Sequence, residues 1–178
     1  MKKIVLLAAL LLATGPFALA AETEERTIRN MHLGKVTLTV PKDWKAIERH
    51  HVRFGTTFYR LAPADKEFEV EIVLNELRRL NMGALVDQDL EKYISHDMAR
   101  MAYRSVEGAV VPKRFGAYAD GVYARLTDRM QAPGEKRYMT QGVRLLGRNA
   151  ALFRLLSNDA DEAVLRQVLE VVSSVRLE

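Results

Sequence analysis

The chain contains no cysteine. That excludes a disulfide framework and a thiolate metal site, and it excludes a lipobox, whose lipid is carried on a cysteine. Long apolar runs are missing beyond the first 20 residues, so no later segment has the ~20 apolar residues that a membrane-spanning helix needs. Charge of one sign is missing as well. The 27 Lys and Arg are interspersed with 23 Asp and Glu, and Lys2 and Lys3 contribute to the net charge of +4. No basic stripe forms, and nucleic acid is not an expected partner. Glycine-rich phosphate loops, G-x-S-x-G, S-x-x-K and H-E-x-x-H are all absent.

What is present begins with an address. Lys2 and Lys3 precede an apolar stretch from Ile4 to Ala13, and Ala18-Leu19-Ala20 has the small-x-small form of a cleavage site. We read residues 1–20 as a secretory signal cut after Ala20, which puts the product in the periplasm or outside the cell. Residues 21–33 are charged and polar and are expected to form a flexible leader. Residues 34–178 then make one domain, long enough to bury a core without staples.

Period-two alternation predicts strands. Val36, Leu38 and Val40 alternate with threonines, and Phe68, Val70, Ile72 and Leu74 alternate with Glu67, Glu69, Glu71 and Val73. Further strands are expected over 56–61, 106–111, 115–119, 122–130, 137–146 and 151–156. Pro133-Gly134 suits a type II turn, and Gly147-Arg148-Asn149 a tight hairpin. Two segments have helical spacing. In the first, about 85–103, Leu90, Tyr93, Ile94, Met98, Met101 and Ala102 form an apolar stripe with Asp97 out of keeping. In the second, Asp159 and Glu162 suit a capping box ahead of Leu165, Val168, Leu169, Val172 and Val175. Short connections favour antiparallel pairing, giving an α+β fold with two main helices laid on the sheet.

The Val-Pro-Lys-Asp-Trp of Val40–Trp44, following an alternating strand, resembles the opening of PsbP-like domains. So does the ending, in which the apolar 151–156 leads through a polar cap into Val168-Leu169-Glu170-Val171-Val172-Ser173-Ser174-Val175. The resemblance spans nearly the whole mature chain by element order and takes in DcrB-like exported bacterial proteins. It implies an α/β/α sandwich around an antiparallel sheet. It also implies a non-enzymatic role as accessory subunit, assembly factor or adaptor, with no catalytic residue set to carry over.

The residues supply no catalytic constellation of their own. The serines lack supporting motifs, and Ser173 and Ser174 fall in the last turns of a helix. His96, Met98 and Met101 include soft ligand types, but His96 and Met98 lie far apart around a helix, while Met98 and Met101 share its apolar stripe. His50-His51 is an unconstrained pair. We therefore expect no catalytic residues, no metal and no cofactor. Glu67, Glu69 and Glu71 could face Arg125, Thr127 and Arg129 across the sheet as a charge ladder. Arg78-Arg79 and Lys113-Arg114 read as solvated loop pairs, and Trp44 as a core plug. The candidate binding residues are Tyr123, Arg125 and Arg129, an aromatic and two guanidinium groups on one strand. The expected function is binding a periplasmic or envelope protein. The alternative is a small-ligand or lipid carrier with Tyr118, Tyr123, Tyr138 and Arg125 lining a cleft between layers.

Overall fold

The computed structural model describes residues 22–30, 33–51, 56–65, 67–77 and 90–178. The elements, in chain order, are β1 (Thr23–Asn30), β2 (Gly34–Pro41), β3 (Lys45–His51), β4 (Thr56–Ala62), β5 (Phe68–Glu76), α1 (Leu90–Ala102), β6 (Lys113–Phe115), β7 (Gly121–Thr127), β8 (Tyr138–Leu146), β9 (Asn149–Ser157), α2 (Glu162–Ser174) and β10 (Arg176–Leu177). They build a seven-stranded sheet in the order β3-β4-β5-β9-β8-β7-β6 and a three-stranded sheet in the order β1-β2-β10. Every pairing is antiparallel.

The alternation in β5 sets which face of the large sheet is inside. Phe68, Val70, Ile72 and Leu74 are buried, and the register extends their rows across the neighbours. Ile72 lies beside Phe153, then Gly142, then Tyr123; Val70 lies beside Leu155, then Thr140, then Arg125. Gly142 is the gap in its row that makes room for an aromatic. A Cβ there would lie 2.4 Å from the Phe153 ring and 2.7 Å from the Val122 carbonyl oxygen. Phe153 in turn meets Phe115 edge to face, with centroids 5.7 Å apart.

The small sheet and α2 cover this face. Leu165, Val168, Val171, Val172 and Val175 join Val36, Leu38 and Val40 in one core with the β4, β5 and β9 side chains. Trp44 is 2% exposed in that core and packs edge-on against Phe68 at 5.2 Å. The cap of α2 is Asp161, whose side chain accepts from the Ala163 N–H at 2.7 Å, rather than the expected Asp159. Asp159 lies too early: its carbonyl takes the Ser157 hydroxyl at 2.7 Å. At the far end Arg144 closes the helix. Its Nη1 donates to the carbonyls of Val172, Ser173 and Val175 at 3.2, 2.7 and 3.1 Å, while Nε holds Asp120 Oδ2 at 2.9 Å. A cation at a helix C-terminus meets both the unpaired carbonyls and the dipole.

The opposite face carries α1. Leu90, Ile94, Met98 and Ala102, four apart, pack on Val122, Ala124 and Leu126 of β7, Val143 of β8 and Ala150 of β9. Asp97, the misfit in the stripe, accepts from the Gln141 side-chain amide. Toward β5 and β4 the same face becomes charged. Glu71 stands opposite Arg60 and Arg154, and Glu69 Oε2 lies 3.5 Å from Arg60 Nη1.

The register corrects several expectations. The acidic strand does not face Arg125 or Arg129, because β9 and β8 separate β5 from β7 and Arg125 projects from the other face. Residues 23–30 are not a loose leader: each pairs with β2, from Thr23 opposite Pro41 to Asn30 opposite Gly34. β1 reads as polar because it is an edge strand, where charge is favoured. The expected strand over 106–111 does not form, since Ser105 Oγ accepts from the Gly108 N–H at 3.1 Å and Gly108 takes a φ of +68°. The expected 115–119 strand is displaced to β6, and β3 and β10 appear where none was expected. The signal segment, the first residues of the expected 85–103 helix and the Arg78-Arg79 pair lie outside the described residues.

Candidate functional site

Two pockets open beside β7, one on each face of the large sheet. On the α2 face, Tyr123 and Arg125 are neighbours by the period of two, and Glu107, Val111, Lys113, Glu162 and Leu165 complete a pocket of about 240 Å³. Arg125 and Glu107 already have partners there. Arg125 Nη1 holds Glu162 Oε1 at 2.8 Å and the Ala160 carbonyl at 3.4 Å, and Nε holds Thr140 Oγ1 at 3.2 Å. Glu107 accepts from the Thr127 N–H at 2.9 Å and from its hydroxyl at 2.7 Å. Desolvation pushes the Glu107 carboxyl up, but the Thr127 and Ser105 hydrogen bonds outweigh it and hold the group below its usual range. Desolvation, reinforced by Glu162 and opposed by Arg125, raises the Tyr123 hydroxyl. The Tyr123 ring packs on Phe115 at 6.0 Å.

The other expected binding residues lie elsewhere. Tyr118 is 90% exposed in the turn between β6 and β7, and Tyr138 opens β8 beneath the Arg137 guanidinium. Arg129 falls past the end of β7. Its Nη2 donates to the Ser105 carbonyl at 2.7 Å and its N–H to the Arg104 carbonyl at 3.1 Å. It ties the segment after α1 to the segment after β7.

The second pocket lies on the α1 face, at the C-terminal end of the helix. Leu126, Met139 and Leu156 form one row across β7, β8 and β9 and make its floor. Arg100 stands in the last turn of α1, and Arg104 follows in the turn that Ser105 closes by donating its hydroxyl to Ala102 O at 2.8 Å. Lys136 and Arg137 arrive from the β7–β8 connection. There Glu135 N–H donates to Ala132 O at 3.0 Å, with Gly134 at φ +85°, so Pro133-Gly134 makes the expected type II turn. Asp128 N–H then donates to Arg137 O at 2.8 Å and fixes where the basic pair leaves the turn. The resulting cavity of about 260 Å³ is lined by four basic side chains and one acid, Asp128. Among the described residues Arg100, Arg104 and Arg137 form no ion pair, and Lys136 Nζ reaches the Glu67 carbonyl at 3.0 Å.

Sequence reasoning missed this pocket because its cations come from separate segments. The nearest signal was Lys136-Arg137, one residue beyond the Pro133-Gly134 turn dipeptide. Ser174 holds structure together: its Oγ donates to Val171 O at 2.7 Å and accepts from the Thr39 N–H at 2.8 Å, tying α2 to β2. Met98 is fully buried in the core and His96 is exposed on α1. Among the described residues no three His, Asp or Glu side chains converge as a metal site would require.

No protein-family model matches the chain. No curated protein matches it significantly. Among solved structures it is similar to cyanobacterial PsbP (CyanoP) from Synechocystis sp. PCC 6803, with a TM-score of 0.51 at 12% identity, over 94% of this chain and 99% of that one. A Bacteroides thetaiotaomicron VPI-5482 structure is similar over 80% of this chain and 45% of its own, with a TM-score of 0.45 at 13% identity. Among the described residues no helix is long and apolar enough to cross a membrane. The chain has the PsbP-like α+β fold, an antiparallel sheet with a helix on each face.

Proposed function

We propose that the chain is an exported, non-enzymatic binding domain that engages a periplasmic or envelope protein. The observation that carries this reading is an exposed patch at the C-terminal end of α1. Tyr103, Val106 and Met130 are 71%, 58% and 70% exposed. They sit on two segments laced together by the Ser105–Asp128 bridge and by the Val106 N–H to Thr127 O bond of 2.9 Å. Arg104 and Arg129 lie between them in sequence. Aromatic, methionine and arginine side chains are the types enriched where protein interfaces carry their energy. Large apolar groups grouped in water mark an interaction site more often than scattered single ones do.

A photo-crosslinking residue at position 103, in protein exported by its own cell, tests this. A stoichiometric adduct with one envelope protein at 103, and none from a probe at the exposed Arg166 on α2, is the expected result. Tyr103→Ala with Met130→Ala lowers affinity for that protein by at least about tenfold, the scale of a ~1.4 kcal/mol loss. Equal crosslinking from both positions, or substrate turnover by the pure protein, overturns the reading. The N-terminal residue of the exported form is expected to be Ala21.

A further inference from the structure

The cavity beneath the same end of α1 supports a second inference that does not depend on a protein partner. We infer that it is a binding site for a small amphipathic oxyanion, a carboxylate or phosphate carried on a short apolar body. The floor and the rim make separate arguments. The floor is the Leu126–Met139–Leu156 row, three apolar side chains in register across three strands. α1 ends at Ala102 and leaves part of this row uncovered, with Met139 and Leu156 only half-buried. Apolar surface in a concave setting is where the non-polar part of a ligand gains most from leaving water.

The rim carries like charge. A helix C-terminus accounts for Arg100 and Arg104, since cations there complement the dipole. It does not account for Lys136 and Arg137, which a type II turn and the Asp128 N–H to Arg137 O bond deliver to the same cavity from another element. The single acid present, Asp128, already accepts from the Met130 N–H at 2.8 Å. Arg100, Arg104 and Arg137 line one cavity and form no ion pair among the described residues; their mutual repulsion is what a bound oxyanion removes. Guanidinium groups suit carboxylate and phosphate alike, because their paired N–H donors match two oxygens. Size restricts the rest of the ligand. At about 260 Å³ the cavity falls just below the ~300–1,000 Å³ of drug-sized sites, which leaves room for one short chain or one ring and not for a two-chain lipid.

Four probes separate the components: octanoate, octyl phosphate, octanol and acetate, each titrated into the protein purified without denaturant and followed by backbone amide NMR shifts. Octanoate, octyl phosphate or both are expected to shift the Ser105, Leu126 and Met139 amides. Octanol and acetate bind at least about tenfold more weakly, because each lacks one half of the recognition. Binding of octanoate alone assigns a carboxylate ligand, and binding of octyl phosphate alone a phosphate. Arg104→Ala with Arg137→Ala reduces affinity for the binding probe by at least about tenfold, and added salt weakens it. Arg166→Ala on α2 leaves it unchanged. Octanol binding as tightly as the anions, shifts absent with both anions, or the double variant binding like the parent overturns the proposal. Tyr103 lines this cavity too, but the crosslink at position 103 is read with no probe added and the titrations with no partner present, so the partner reading and the ligand reading fail separately.

Discussion

α1 and α2 are each 13 residues long and lie on opposite faces of one sheet, yet their ends are built differently. Both ends of α2 are tied. Asp161 caps the first turn, Arg144 collects three carbonyls of the last, and Ser174 bonds to β2. The end of α1 is closed by its own turn, while the arginines around it project into a cavity without carboxylate partners. The same residue type therefore does two jobs. Arginine satisfied by backbone and acid holds the fold, and arginine left unsatisfied over an apolar floor is available to a ligand.

The sharpest test of that contrast is Arg144→Ala. Arg144 and Asp120 are 17% and 22% exposed in their side chains. Truncation strands a half-buried carboxylate and three helix carbonyls at once, so a loss of about 3–5 kcal/mol is expected, read as a lower urea midpoint with an unchanged m-value. A loss below ~1 kcal/mol would mean that the α2 end is held by packing alone.

Gly142→Ala comes next. The Phe153 ring could swing away from a new methyl group, but the Val122 carbonyl at 2.7 Å belongs to the paired strand and cannot. Overpacking of this kind costs about 1–3 kcal/mol, seen as a lower thermal midpoint. Asp161→Ala removes the α2 cap and should cost about 1 kcal/mol. Asp159→Ala should stay within about 0.5 kcal/mol, which distinguishes the two candidate caps by denaturant titration.

Where side-chain pattern decides structure, the sequence was legible. Phe68, Val70, Ile72 and Leu74 marked β5 and its inner face, and Leu90, Ile94 and Met98 marked the buried stripe of α1. The turns at Gly134 and Gly147 were legible because each needs a positive φ, +85° and +67°. β1 was not, because its charged residues carry no alternation and only its pairing with β2 makes it a strand. The 106–111 segment misled in the opposite sense, being apolar enough for a strand while a local serine hydrogen bond turns the chain. The same division runs through the sites. Tyr123 and Arg125 share a pocket by the period of two, a fact of one strand. The basic cavity needs the register of β7, β8 and β9 and the stopping point of α1, which no window of sequence contains.

Arg137→Ala is the smallest effect and the counterpart of Arg144→Ala. Two contributions act on Arg137 and nearly cancel. Its guanidinium lies 5.9 Å from the centroid of the Tyr138 ring, a contact worth about 0.5–1 kcal/mol when exposed. Against this, removing it relieves repulsion from Arg100, Arg104 and Lys136 around the same cavity. The expected change at neutral pH and low salt is within about 0.5 kcal/mol. Added salt screens the repulsion more than the ring contact, so the variant should fall behind the parent as ionic strength rises. Denaturant titrations at two salt concentrations measure both the size and the sign. A loss above ~1 kcal/mol at low salt would make Arg137 a structural side chain like Arg144, and the contrast between the two helix ends would fail.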